Sequence, residues 1–218
     1  DFRSAKISNK TFIPIGHTEP VSSVEWVPDG VGADGDLMVT FGRTAVVWDR
    51  RSGAPVRELV NERMVPYDAM AVSPDGTLLA MSAKGCGIDV FTMDSGDRTA
   101  VPSPTMARVG AMAFLGGSRF LAYADDEEGL TLLDLESLGK RTLDLPEEIS
   151  GSYRWQSICR LHCSRTGGVL AAMYDSGGVA CWTLDRVDPL CNPRFRSASS
   201  LFDGIADLQL SEDGGRMM

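Results

Sequence analysis

The chain is built from short apolar runs with an alternating polar and hydrophobic pattern, each closed by a turn rich in Gly, Pro, Asp or Ser. One kind of run reads VSSVEWV from Val21, DAMAVS from Asp68, VGAMAF from Val109, SICRLHC from Ser157 and GIADLQLS from Gly204. A turn glycine follows each of them, at Gly30, Gly76, Gly117, Gly168 and Gly215, with spacings of 46, 41, 51 and 47 residues. After the first four glycines comes a second run: LMVTF from Leu37, LLAMSA from Leu78, FLAYA from Phe120 and VLAAMY from Val169. A third run follows: TAVVWD from Thr44, GIDVFTMD from Gly87, LTLLDLE from Leu130 and VACWTLD from Val179. Short runs rich in Val, Leu and Ala between turn-forming residues predict strands, and no segment sustains an apolar stripe at helical spacing.

That period is close to the length of one four-stranded propeller blade. Weaker runs supply the outer strand: PVRELV from Pro55, RTAV from Arg98, RTLDL from Arg141 and PRFRS from Pro193. Their charge and proline suit a sheet edge, where they discourage pairing with another chain. The expected fold is therefore all-β, a β-propeller of four-stranded antiparallel blades, with about four and a half blades in this chain. The expected divisions are a lead-in outer strand at 1–15, then blades at 16–60, 61–102, 103–146 and 147–200. The fourth carries an insertion, and a fifth blade starts at 201–218. Trp48, Phe91, Leu133 and Trp182 share one repeat position, so a large apolar side chain is expected there in every blade. A closed propeller takes about six to eight blades, on the order of 250 to 350 residues. The expectation is thus a portion of a larger protein or assembly of about seven blades.

The first repeat contains Gly16-His17, Val24, Trp26, Pro28-Asp29-Gly30 and Trp48-Asp49 in order, and Pro74-Asp75-Gly76 and Leu133-Asp134 echo it later. In these residues the chain resembles the WD-repeat propellers, strongly over residues 16–60 and more weakly along the rest. In that family a His, a strand hydroxyl and an Asp form a hydrogen-bonded network that locks loops to strands. The resemblance implies that His17, Thr40, Trp48 and Asp49 make the structural network here. The tight turn at Gly42-Arg43 departs from the pattern, with Arg where the family often has Asp. The resemblance specifies a fold and leaves the activity to the loops.

With 43% apolar residues the 218-residue chain can bury a core. A net charge of −9 argues against a general nucleic-acid surface, which needs a field of Lys and Arg. There is no apolar run long enough for a membrane helix. The five cysteines, Cys86, Cys159, Cys163, Cys181 and Cys191, form no C-x-x-C and read as reduced, mostly buried thiols, which fits the cytoplasm or nucleus. Cys159 and Cys163 lie about 13 Å apart along a strand, too far for a disulfide. Alternation places His162 on the face opposite both, which argues against a zinc site there.

Catalysis finds little support. His17 is accounted for as the structural His, and His162 lies on an alternating strand. No nucleophile elbow, phosphate-cradling loop or H-E-x-x-H is present. Neither a cofactor nor a metal is expected. The run Asp125-Asp126-Glu127-Glu128 reads as a solvated turn, with a partner-facing patch and a metal or acid/base site as the alternatives.

Function in such a fold belongs to its rims, because the strands are consumed in packing. The rim made by the turns between second and third strands, together with the blade connections, is the expected partner-binding face. It holds Arg43, Arg63, Tyr67, Arg108, Asp125, Asp126, Glu127, Tyr153, Arg154, Trp155 and Phe202. Arg and aromatic residues in loops are the usual stuff of interface hot spots. The insertion PEEISGSYRWQ from Pro146 makes Tyr153-Arg154-Trp155 the chosen patch, the alternative being that Trp155 folds back over a blade edge. The stretch from Arg186 to Gly204, with two prolines, is expected to be an irregular connection. The function expected is a non-enzymatic scaffold that binds other proteins within a larger protein or complex. The alternative is a ligand-sensing or autoinhibitory propeller attached to a signalling NTPase. A propeller enzyme is the third reading, and the inner-strand residues Glu25, Arg160 and Asp207 make no recognisable catalytic set for it.

Overall fold

Runs whose alternating side chains are apolar on both faces must be covered on both sides, and the chain achieves this by stacking one sheet on the next. The computed structural model describes residues 17, 20–27, 37–60, 65–101, 107–127, 129–143, 157–175, 177–191, 193–200, 210–211 and 214–216. They form four sheets of four antiparallel strands, each sheet a meander in chain order. The first sheet is β1 (Ser23–Trp26), β2 (Leu37–Phe41), β3 (Ala45–Asp49) and β4 (Pro55–Leu59). The second is β5 (Ala69–Val72), β6 (Leu78–Ala83), β7 (Gly87–Thr92) and β8 (Arg98–Val101). The third is β9 (Val109–Phe114), β10 (Phe120–Asp125), β11 (Gly129–Asp134) and β12 (Lys140–Leu143). The fourth is β13 (Ile158–Cys163), β14 (Val169–Tyr174), β15 (Gly178–Thr183) and β16 (Arg194–Ser200). Among the described residues there is no helix. This is the all-β architecture of an unclosed, partial β-propeller. Within the long connection after Arg186, the outer strand expected at PRFRS from Pro193 is present as β16 and runs on to Ser200, completing the fourth sheet against β15.

Within each interface between sheets, large side chains of one sheet meet small or β-branched ones of its neighbour. From the first sheet, Val39, Ala45 and Val47 meet Leu79, Met81 and Phe91 of the second. Ala69, Ala71, Ala80 and Val90 of the second then meet Met112, Leu121, Tyr123 and Leu133 of the third. Ala111, Ala113, Ala122 and Ala124 of the third meet Leu170, Tyr174 and Trp182 of the fourth. Large-on-small packing lets neighbouring layers interdigitate without voids. Phe91, Leu133 and Trp182, at the repeat position marked by Trp48, are all buried in these layers. In the first sheet the matching row, Trp26, Met38 and Trp48, runs across β1, β2 and β3. Trp26 there is 57% exposed, with the Arg50 guanidinium 5.3 Å from its ring centre.

The turns between first and second strands repeat one hydrogen-bond pattern. The Ser73, Ser164 and Ser211 hydroxyls accept from the amides of Leu78, Val169 and Arg216. The amides of Gly76, Gly167 and Gly214 each donate 2.8 Å bonds to the carbonyls of those same serines. The left-handed residue is thus Gly167 or Gly214, the first glycine of each pair, rather than Gly168 or Gly215. Successive turns also touch. A Cβ on Gly167, whose φ is +73°, would lie 3.0 Å from the Gly116 Cα, and one on Gly116 would lie 2.7 Å from the Gly167 Cα.

This contact separates two effects at glycine. Gly53 has a φ of +68° and open space around its missing side chain. Gly53→Ala is expected to cost about 1–2 kcal/mol from the left-handed backbone alone. Gly167→Ala adds a backbone collision and is expected to cost about 3 kcal/mol or more. Urea denaturation of both variants checks the difference, and equal costs would mean that the two turns are not in contact.

Candidate interaction rims

One rim carries the turns between second and third strands and the connections between sheets; it is called upper here, and the opposite rim lower. On the upper rim of the first sheet, the Thr40 hydroxyl oxygen accepts a 2.6 Å bond from Trp48 Nε1. His17 Nε2 lies 2.6 Å from the same oxygen. Thr40 pairs with Val46, so Trp48 two residues on shares its face and can reach it diagonally. Gly42 makes room for this joint, since a Cβ there would lie 2.7 Å from the Pro20 carbonyl oxygen and 3.3 Å from His17 Nδ1. Asp49, expected in the same network, points elsewhere. Its Oδ1 accepts from the Ser52 amide at 2.6 Å and hydroxyl at 2.7 Å, closing the turn between β3 and β4. An Asp at a strand end satisfies nearby turn amides more readily than it reaches back across the sheet.

The second sheet joins loop to strand by a different chemistry. Asp68 Oδ2 accepts from the Lys84 amide at 2.9 Å, and its Oδ1 accepts from Arg108 Nε at 3.1 Å. One carboxylate therefore ties the β6–β7 turn to the connection that enters the third sheet. Arg43, Lys84 and Arg108 are exposed on this part of the rim, and Asp126, Glu127 and Asp175 are exposed over the third and fourth sheets. Among the described residues, the exposed charges named here are cationic toward one end of the rim and anionic toward the other, with the partly exposed Asp68 carboxylate standing at the cationic end.

Two expected face residues are not on the surface. Tyr67 is 6% exposed and packs in the first interface beside Phe41, ring centres 6.3 Å apart. Asp125 is 8% exposed, and its Oδ1 accepts from the Glu127 amide at 2.9 Å, so it closes its own turn while Asp126 and Glu127 face solvent. Arg63, Tyr153, Arg154, Trp155 and Phe202 lie outside the described residues, as do Glu128 and Asp207. Glu25 and Arg160 are exposed on the inner strands.

The cysteine reading also changes in detail. A bulge between Ile158 and Arg160 breaks the alternation of β13. Cys163 consequently packs on the core against the third sheet, while Cys159 packs on the opposite face beside Ala171 and Met173. His162 pairs with Ala171 and so shares that second face. Burial pushes the Cys163 thiol up to about 12. Burial, with the Asp175 charge next, also raises Cys159. Both are protonated at neutral pH, which removes them as nucleophiles. Among the described residues no group of three His, Cys, Asp or Glu is placed to hold a metal ion, and no helix is long and apolar enough to cross a membrane.

On the lower rim, the turn from β11 to β12 is held by a fork. Arg119 Nε and Nη2 donate to Asp134 Oδ1 and Oδ2 at 3.0 and 2.7 Å. The Glu136 amide and Ser137 hydroxyl donate to the same carboxylate. Arg119 first, and then these turn donors, hold the Asp134 carboxyl well below the usual carboxylate range against the upward push of burial. Arg57 of β4 reaches across to the next sheet, donating to the carbonyls of Ser95 and, at 2.8 Å, Asp94. Arg141 of β12 repeats this, donating at 2.8 Å to the Leu190 carbonyl of the fourth sheet. The two arginines pair with Val47 and Leu132, equivalent strand positions, so outer-wall struts join the first sheet to the second and the third to the fourth.

Among solved structures, the chain is similar to the β-propeller domain of Cps50 (Swd1) from Myceliophteria thermophila. The TM-score is 0.67 at 16% sequence identity over 92% of this chain. The chain spans 62% of the length of that structure. No family model and no curated protein matches the sequence. The four meander sheets and this likeness define the fold of the chain as that of a partial, unclosed β-propeller.

Thr40→Val deprives the Trp48 indole of its acceptor and is expected to destabilise by about 1–2 kcal/mol, while Thr40→Ser retains most of the stability. Chemical denaturation of the two variants checks this. For Asp134 the folded state titrates below the unfolded value of about 4. Its contribution is therefore complete above that value and lost as pH falls through the lower, folded one. The stability gap between wild type and Asp134→Asn is expected to be flat from about pH 5 to 7 and to shrink below about pH 4. A gap that instead widens in acid would contradict the assignment.

Proposed function

We propose that the chain is a non-enzymatic propeller scaffold whose upper rim binds a protein partner within a larger protein or complex. The observation that carries this reading is the charge division of that rim. Arg43, Lys84 and Arg108 stand at one end and Asp126, Glu127 and Asp175 at the other. Asp68 holds Arg108 and the Lys84 turn in one joint. A bipolar rim on a rigid framework selects the orientation of a partner through complementary charge. The net charge of −9 favours protein over nucleic acid as that partner. Cysteines outside any disulfide among the described residues support a reducing compartment, the cytoplasm or nucleus.

The test is affinity capture with quantitative mass spectrometry on the source protein. Wild type is compared with Arg43→Glu/Lys84→Glu, with Asp126→Lys/Glu127→Lys and with Tyr153→Ala/Trp155→Ala, each checked for unchanged melting. Loss of one stoichiometric partner in at least one folded variant is the expected result. An identical partner list in all three variants overturns the assignment of this rim.

A further inference from the structure

One carboxylate fixes the positions of two cations on the upper rim. The Asp68 amide donates at 2.7 Å to the carbonyl of Ser82, a residue 1% exposed, so the backbone that carries this carboxylate is pinned to β6. Asp68 Oδ2 accepts from the Lys84 amide, which sets where the Lys84 side chain leaves the β6–β7 turn. Asp68 Oδ1 accepts from Arg108 Nε. Arg108 precedes Val109, which is buried and paired with Asp125, so its own backbone is mounted on the third sheet.

The use of Nε decides what the guanidinium can still do. A guanidinium held through Nε alone keeps the four N–H donors of Nη1 and Nη2. Among the described residues neither of those nitrogens has a partner, and the side chain is 55% exposed. Two parallel N–H bonds from such a planar edge receive both oxygens of one carboxylate. Lys84, exposed and with no side-chain partner among the described residues, projects from the residue bonded to the other Asp68 oxygen.

Charge narrows the ligand. Arg108 and Lys84 against Asp68 leave this joint one positive charge in excess. A single carboxylate neutralises it, whereas a phosphate monoester, with about two negative charges, overshoots and confronts Asp68. Asp126 and Glu127 are exposed on the turn that follows Asp125, across the sheet from Val109. A continuous acidic run is repelled there, and a base beside the acid is attracted.

We propose that Arg108 and Lys84, held by Asp68, form a receptor for one Asp or Glu side chain of a partner protein, presented in a segment that carries a Lys or Arg beside it for Asp126 and Glu127. This names the partner chemistry of the upper rim and rests on the reading of the chain as a protein-binding scaffold. Asp68 is a positioning residue, because it acts through the two cations.

Random peptides displayed on phage are selected on the source protein, and the tightest are synthesised and titrated against variants with unchanged melting. The selected peptides are expected to share an acidic residue with a basic neighbour. Arg108→Gln should weaken them by at least about 10-fold, and Arg108→Lys should not restore the loss, since a point charge lacks the fork. Replacing the peptide's acid by its amide should cost wild type as much and Arg108→Gln almost nothing further. A phosphoserine at the same place should bind wild type no more tightly than the acid. Asp68→Asn, which removes the opposing charge, should shift the preference toward phosphoserine by at least about 5-fold. Peptides without a shared acid, no selected peptide at all, or unchanged binding by Arg108→Gln overturns the proposal. A phosphoserine preference already present in wild type, or none gained in Asp68→Asn, overturns it as well. If the captured partner of the source protein is lost with other upper-rim variants but kept by Arg108→Gln, this inference alone fails. If every upper-rim variant keeps the same partner list, the scaffold reading fails with it.

Discussion

Burial of both faces of every interior sheet is the constraint on which the rest of the structure depends. Leu79 faces one neighbouring sheet and Ala80, the next residue, faces the other, and both are fully buried. A slip of one residue in β6 would exchange a large-residue face for a small-residue one in two interfaces at once. Register is therefore fixed twice over, and the turns inherit fixed positions from it. The loops can then vary in chemistry while their mounting stays constant. The first sheet fastens loop to strand through His17, Thr40 and Trp48, and the second through the Asp68 carboxylate.

Much of this was legible in the sequence, because the signals came from side chains repeated at a fixed spacing. Trp48, Phe91, Leu133 and Trp182 do occupy one register position, and the strand set follows from alternation and turn residues. The Thr40 hydroxyl was readable from the family pattern. Tyr67 was not, since an aromatic beside a charged loop residue looks the same whether it covers a core or meets solvent. Asp125 misled for a related reason: in a run of four acids, only geometry tells which carboxylate turns inward to satisfy a backbone amide. The bulge in β13 has no residue signature, so the placement of Cys159 and Cys163 on opposite faces of the sheet was invisible. The left-handed Leu138, with a φ of +59°, could have been found. Aligning Asp134-Leu135-Glu136-Ser137-Leu138 with Asp49-Arg50-Arg51-Ser52-Gly53 puts a leucine where the turn asks for glycine.

The two rims differ in how they are stiffened. Above, single polar joints at the first two sheets hold a loop to its own sheet or the next. Below, backbone contacts between turns combine with the Arg57 and Arg141 struts across the outer wall. Those struts leave the second and third sheets without an equivalent, because Thr99 stands at the corresponding position against Val90. That pair of sheets is joined instead by its apolar layer, by Asp68 with Arg108 on the upper rim and by Asp75 with Ser118 on the lower.

The meeting of Gly116 and Gly167 also bears on how such an array diversifies after its units have been copied. A freshly duplicated segment usually drifts one position at a time, each copy freed by the other. Here the two backbones occupy each other's side-chain space, so a substitution in either turn is refused by its neighbour, and the copies remain historically bound together. Novelty has to enter at places such as the turn at Gly53, where nothing stands within 4 Å of a first side-chain atom.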